Sequence, residues 1–237
     1  MIAIFTAGAV AMLVAAFGTP VFMRTLTKRQ IGQQIREDGP AIHVMKAGTP
    51  TMGGIALVSA ATIGYLVGHI GTSARFQSAG AFALGAIILA GCIGFADDWL
   101  KVHHRRSLGL NKRGKLALQV VLGVVFALCA EHWAHSSTTL SFTRANVPGL
   151  ALGTIGWVIW ATFIMTAESN AVNLTDGLDG LASGAAAFSF AGFTLIGYWQ
   201  YRHVHIYHVH PALDLALVAV AMAGACVGFL WWNAAPA

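Results

Sequence analysis

The sequence predicts an all-α protein, a bundle of helices that crosses a membrane about seven times and forms one integral-membrane domain over residues 1–237. Three observations carry that expectation. Of the 237 residues, 57% are hydrophobic and 10% charged, with a mean hydropathy of +0.68, whereas a soluble domain carries about 25% charge. The apolar residues fall in blocks of about twenty, the length that crosses ~30 Å of hydrocarbon at ~1.5 Å per residue. The charged residues gather between particular blocks. Such a composition excludes a disordered chain, a collagen-like repeat and a disulfide scaffold. Cys92, Cys129 and Cys226 each lie inside an apolar block and read as small hydrophobes.

The first block covers roughly 2–23. No positive charge precedes it and Arg24, Lys28 and Arg29 follow it, so it reads as a retained helix with its N-terminus outside rather than a secretory signal. The further blocks are roughly 52–70, 76–96, 116–132, 150–167, 181–199 and 212–232. Gly64 and Gly68 in the second, and Gly224 and Gly228 in the last, have the small-xxx-small spacing of closely packed membrane helices.

Charge sets the orientation, because Lys and Arg concentrate in loops that stay in the cytoplasm. Eleven of the fourteen basic residues lie between blocks one and two (Arg24 to Lys46) or between three and four (Lys101 to Lys115). Arg75, Arg144 and Arg202 occupy the loops that alternation places outside. Seven of the nine acids, Glu37, Asp38, Asp97, Asp98, Glu168, Asp176 and Asp179, fall on the cytoplasmic side. The orientation rule does not require that bias. A mixed-charge face suggests chemistry on an anion that needs both Lys/Arg and a metal; solvated loops touching lipid headgroups are the simpler alternative.

Three polar stretches could carry the chemistry. Asp97-Asp98-Trp99-Leu100-Lys101 follows the apolar run 81–96. Adjacent carboxylates at a span end are costly unless a cation intervenes, and on a helix Lys101 reaches both. The group could hold Mg²⁺, which takes hard carboxylate oxygens together with waters and phosphates; a helix-end cap with a simple Asp–Lys pair is the other reading. The second stretch, Glu168 to Gly180, places Asn170, Asn173, Asp176 and Asp179 between two apolar blocks, and Asp176 and Asp179 share a face if the segment is helical. Gly177 and Gly180 would let the backbone approach a ligand, and an Asn/Asp/Gly turn between hairpin helices is the plain alternative. The third stretch, Lys46 to Gly54, offers a lysine, Thr49, Thr51 and glycines at a helix start, either as a phosphate cradle or as an ordinary Thr-Pro helix entry.

Three other patterns lead nowhere. Gly109 to Leu116 has P-loop spacing, but Leu116 stands where Ser or Thr would hold Mg²⁺ and no strand is predicted before it. Asn173-Leu174-Thr175 is a glycosylation sequon on the cytoplasmic side. His203, His205, His208 and His210 read as a polar interfacial loop, away from the cytoplasmic acids.

Taken together, residues 46–54, 94–102, 107–115 and 170–182 resemble, in order along the whole chain, the phospho-N-acetylmuramoyl-pentapeptide transferases of the polyprenyl-phosphate N-acetylhexosamine-1-phosphate transferase superfamily. Residues 48–54 and 173–180 are the most discriminating. The resemblance implies Mg²⁺-dependent transfer of phospho-N-acetylmuramoyl-pentapeptide from UDP-MurNAc-pentapeptide to undecaprenyl phosphate, giving lipid I and UMP in peptidoglycan synthesis. It further implies a multi-pass protein of the bacterial plasma membrane, ten spans, often a homodimer, and a cytoplasmic active site; no nucleic acid is expected.

By the same resemblance Asp97, Asp98 and Asp176 are catalytic, with Asp97 and Asp98 also as metal ligands, and Lys46, Thr51, Lys101, Asn170, Asn173 and Asp179 bind substrate. Residues 233–237 resemble the stretch before the family's Gly-Asp-Thr-Gly-Ser segment, whose aspartate is a principal Mg²⁺ ligand. The chain is therefore expected to be an N-terminal part of such an enzyme, with little or no activity alone. Two alternatives remain: a relative that moves GlcNAc-1-phosphate, and, from another class, a transporter or non-catalytic membrane module.

Overall fold

The computed structural model describes residues 1–28, 52–70, 72, 74–104, 109–140 and 149–234. Helices stand over all seven apolar blocks: α1 (Ile2–Lys28), α2 (Gly53–His69), α3 (Ser78–His103), α4 (Lys112–His132), α5 (Gly153–Thr175), α6 (Leu181–Arg202) and, after the single turn α7 (Val204–Tyr207), α8 (Ala212–Asn233). Between α4 and α5 a two-residue antiparallel pair, β1 (Thr139–Leu140) and β2 (Leu150–Ala151), joins Thr139 to Ala151 and Leu140 to Leu150. The bundle is all-α, as the sequence predicts. Among the described residues five helices, α1, α3, α4, α6 and α8, are long and apolar enough to cross a membrane. The helices over the other two blocks are shorter or less apolar. α2 has only 17 residues, while α5 has 23 but spends its last turns on Glu168, Ser169, Asn170 and Asn173.

α8 lies at the centre and packs on α1, α2, α3 and α6, whereas α4 and α5 pair beside α3. Lipid tails are as apolar as leucine, so helices in a membrane are drawn together by close packing rather than by escape from water. α1 accordingly turns Ala3, Ala7, Ala11 and Ala15 inward at four-residue spacing, and all are buried. Gly64 and Gly68 of α2 lie against Ala11 and Ala7, where an added Cβ would come within 2.6 Å of the Ala7 carbonyl. On the other flank Gly224 and Gly228 of α8 meet the backbone of Gly8 and Met12. The two small-xxx-small pairs thus grip the same helix from both sides.

Pro20 stands inside α1 and has no N–H for the carbonyl of Ala16. Trp232 of α8 supplies the missing donor: its indole N–H reaches the Ala16 oxygen at 2.7 Å. At the far side of the bundle Gly123 lets α4 cross α5 closely, since a Cβ there would stand 2.9 Å from the Cα of Thr162.

Candidate active site

α3 runs past its apolar stretch by two polar turns, which carries Asp97 and Asp98 to the end of the bundle. Lys101 closes on both, its Nζ 2.7 Å from Asp97 Oδ2 and 2.9 Å from Asp98 Oδ1. That is the reach expected of an i,i+4 and i,i+3 pair. The returning chain then seals Asp97. The Leu110 N–H donates to Asp97 Oδ1 at 2.8 Å, and Gly109 passes so close that a Cβ there would collide with the carboxylate and the carbonyl of Asp97. Asn111 caps α4 by accepting the Gly114 N–H at 2.5 Å.

With α4 started at that point, its first turns face the same cluster. Lys115 Nζ lies 3.9 Å from Asp97 Oδ2 and donates to Asn173 Oδ1 at 3.4 Å. One turn on, the buried Gln119 donates to Ser169 Oγ at 2.8 Å and accepts from Asn170 Nδ2 at 3.0 Å. Asn170 also donates to the carbonyl of Thr166 at 2.8 Å. Polar side chains of α3, α4 and α5 thus meet in two neighbouring groups, Asp98–Lys101–Asp97–Lys115–Asn173 and, one turn on, Gln119–Ser169–Asn170.

Some of the residues named from the sequence come together here and others do not. Asp97, Asp98, Lys101 and Asn173 share the cluster, and Asn170 lies one turn earlier on α5, bonded to Gln119 of α4. Asp176 and Asp179 do not lie on one helix face: α5 ends at Thr175, and both sit in the exposed turn that leads to α6. Gly180 ends that turn at φ 75°, a left-handed conformation that costs glycine little. At the same end Asn233 of α8 donates to Ser183 of α6 at 3.1 Å. Lys46 and Thr51 lie outside the described residues.

Lys115, Gln119 and Ser169 did not stand out in the sequence. Lys115 ends a basic loop whose P-loop spacing is misleading. Gln119 did leave a trace: it is a lone amide within the apolar run 116–130, and a polar group at such a place needs a partner.

Two adjacent carboxylates supply the hard oxygens that Mg²⁺ prefers. Among the described residues no group of three or more His, Cys, Asp or Glu is arranged to hold a metal. An ion that keeps waters and takes phosphate oxygens needs only one or two carboxylates, and the pair fits that demand. The Asp98 side chain is 28% exposed against 11% for Asp97, so Asp98 is the more open of the two.

The fold and this cluster define a polytopic membrane protein that gathers carboxylates, ammonium groups and amides at one end of its helices, an arrangement suited to a phosphorylated ligand. Comparison with known proteins gives the class its name. Residues 81–237 match the model of glycosyl transferase family 4, and residues 46–58 match signature 1 of the phospho-N-acetylmuramoyl-pentapeptide-transferases. Proteins bearing that name are similar along the whole chain. The one from Beutenbergia cavernae is 46% identical over all of this chain and 71% of its own length. That of Salinispora arenicola is 42% identical over all of this chain and 72% of its own, and that of Corynebacterium efficiens 44% over 99% and 70%. The chain belongs to the phospho-N-acetylmuramoyl-pentapeptide-transferase family, a group of multi-pass bacterial membrane transferases, and spans about 70% of these relatives' length.

Proposed function

We propose that the protein carrying this chain transfers phospho-N-acetylmuramoyl-pentapeptide from UDP-MurNAc-pentapeptide to undecaprenyl phosphate, releasing UMP and forming lipid I. The observation that supports this reading is the position of Asp97 between two ammonium groups, Lys101 from α3 and Lys115 from α4, with Asp98 on Lys101 and Asn173 of α5 on Lys115. Two anions must approach each other in this reaction. A phosphate oxygen of the lipid attacks the sugar-linked phosphorus of the diphosphate, a new P–O bond forms, and the bond to UMP breaks. The attacker is already anionic, so a covalent intermediate on the protein is not required.

In this reading Lys101 and Lys115 screen the phosphates, and Asn170 and Asn173 orient them. Asp98, the more open carboxylate, orients or deprotonates the acceptor while Asp97 fixes Lys101. Asp176, Asp179, Lys46 and Thr51 complete the substrate contacts. Mg²⁺, held by Asp98 and Asp97, would neutralise charge on the diphosphate oxygens. The end that carries Asp97 faces the cytoplasm, where the basic loops hold it, and the N-terminus lies outside. A second copy of the chain is the expected partner within the bilayer.

The test is UMP release and label transfer to the lipid phase in membranes containing the protein, with UDP-MurNAc-pentapeptide and undecaprenyl phosphate. Lys115→Gln is expected to lower turnover by at least about tenfold, the scale of one charge-assisted hydrogen bond. Preference for UDP-GlcNAc as donor would replace this reading with the GlcNAc-1-phosphate one. Undiminished activity in Asp97→Asn, Asp98→Asn and Asp176→Asn together would remove the site assignment.

A further inference from the structure

The seam between α4 and α5 carries two polar rungs. Lys115 and Asn173 make the outer one, beside Asp97. One turn inward, Gln119 stands within the apolar run 116–130, only 6% exposed, and bonds to Ser169 and Asn170 of α5. A buried amide in such a helix is costly unless its groups are satisfied. Gln119 is satisfied at both ends.

The atoms of this inner rung follow from one backbone carbonyl. The Thr166 oxygen only accepts, so the Asn170 atom 2.8 Å from it is the nitrogen, Nδ2. The same Nδ2 lies 3.0 Å from the Gln119 side chain, and a donor there needs an oxygen opposite, which fixes Oε1 on that side. Nε2 of Gln119 then donates to Ser169 Oγ at 2.8 Å. Both hydrogens of the Asn170 amide are thereby spent. Asn170 is exposed, and what it has left to offer is Oδ1, which only accepts. Among the described residues nothing donates to that oxygen.

Asn173 is the opposite case. Its Oδ1 accepts from Lys115, which leaves its NH₂ to donate. Phosphate oxygens accept, so they suit Asn173 directly and Asn170 only through a neighbouring N–H or O–H. Of the two substrates proposed above, the polyprenyl phosphate has no N–H, and any O–H it has belongs to its ionised phosphate. The nucleotide sugar carries acetamido, imide and hydroxyl hydrogens. We infer that Gln119 is a positioning residue: it locks the Asn170 amide with its oxygen outward, so that Asn170 holds an N–H or O–H of the nucleotide sugar while Asn173 donates to phosphate. This assignment rests on the proposed transfer reaction. Without Gln119 the Asn170 amide keeps only its bond to Thr166 and is free to turn. An NH₂ turned outward would then meet a substrate hydrogen with another hydrogen.

The test compares transfer kinetics of wild type and Gln119→Leu in membranes containing the protein, since leucine nearly keeps the volume and removes the amide. The KM for UDP-MurNAc-pentapeptide is expected to rise about tenfold, the scale of one hydrogen bond, while that for undecaprenyl phosphate stays within about twofold. A packing fault would instead reduce the amount of active protein and leave both KM values alone. In an Asn170→Ala background the same substitution is expected to add less than about twofold, because the two residues act as one unit. An unchanged donor KM, equal shifts of both KM values, or a full effect on top of Asn170→Ala would overturn the inference. A second readout needs no turnover. With ¹⁵N-labelled asparagine in detergent, the Asn170 side chain, assigned by its loss in Asn170→Ala, is expected to show both amide hydrogens protected from exchange, and one of them to lose protection in Gln119→Leu. Fast exchange of either hydrogen in wild type would overturn the lock even where transfer proceeds. Protected hydrogens without any transfer would remove the proposed reaction and leave the lock standing.

Discussion

The two ends of the bundle treat a carboxylate in opposite ways. At one end Asp214 of α8 is closed on all sides, with the Tyr65 phenol, the His69 imidazole and the Gln77 N–H filling its oxygens and 1% of the side chain exposed. At the other, Asp97 and Asp98 share Lys101 and stay partly open, 11% and 28% exposed, with a further lysine alongside. The closed carboxylate recruits groups from segments 137 to 149 residues away to satisfy itself within the chain. The open pair is held mainly by its own helix and the turn that follows it. An acid that is fully satisfied has little left for a ligand, whereas an acid held on one side retains that capacity.

The largest effect is expected at the closed end. Asp214→Ala leaves these three groups facing a cavity, and removing one partner of such a buried pair costs about 3–5 kcal/mol; a detergent unfolding titration measures it. A loss below about 1 kcal/mol would erase the distinction between the ends. Next comes Asp97→Asn at the open end. Turnover is expected to fall by about 10²–10³, the scale of one preorganised electrostatic contact, with helix content by circular dichroism unchanged. A drop in stability as large as that of Asp214→Ala would show that the open pair is structural instead.

Smaller effects test the scaffold that holds both ends in place. Gly224→Val forces a side chain into the backbone of Gly8 and is expected to cost about 1–3 kcal/mol through overpacking. Gly18→Ala, at a glycine with open space around it, is the control and should be neutral within about 0.5 kcal/mol. Trp232→Phe leaves the Ala16 carbonyl, opposite Pro20, without its donor. The expected loss is about 1 kcal/mol, read as a lower unfolding temperature in the same detergent titration.

Much of the fold was legible because membrane helices announce themselves by length and apolarity, so all seven blocks became helices. Their ends were less legible. α3 and α5 continue as helix beyond the apolar runs, which places Asp97, Asp98, Lys101, Asn170 and Asn173 on helices. Hydropathy ends where side chains become polar, but backbone hydrogen bonding does not. The Asp97–Lys101 contact was readable because it is local and follows from helical spacing. Lys115 and Gln119 were not, since their partners lie 50 to 58 residues further on, on another helix.

By itself the sequence determined that the chain lives in a membrane, where its helices fall, and which short stretches carry acids, amides and lysines together. These are properties of composition and near spacing, set by the cost of placing polar groups in hydrocarbon. Only the tertiary structure decided which polar groups meet. His69 ends one apolar block and Asp214 opens another, and neither has a signature until α8 sets its N-terminus between α2 and α3. Small residues govern that placement, because without a hydrophobic drive between helices it is the close approach of Gly and Ala surfaces that selects neighbours.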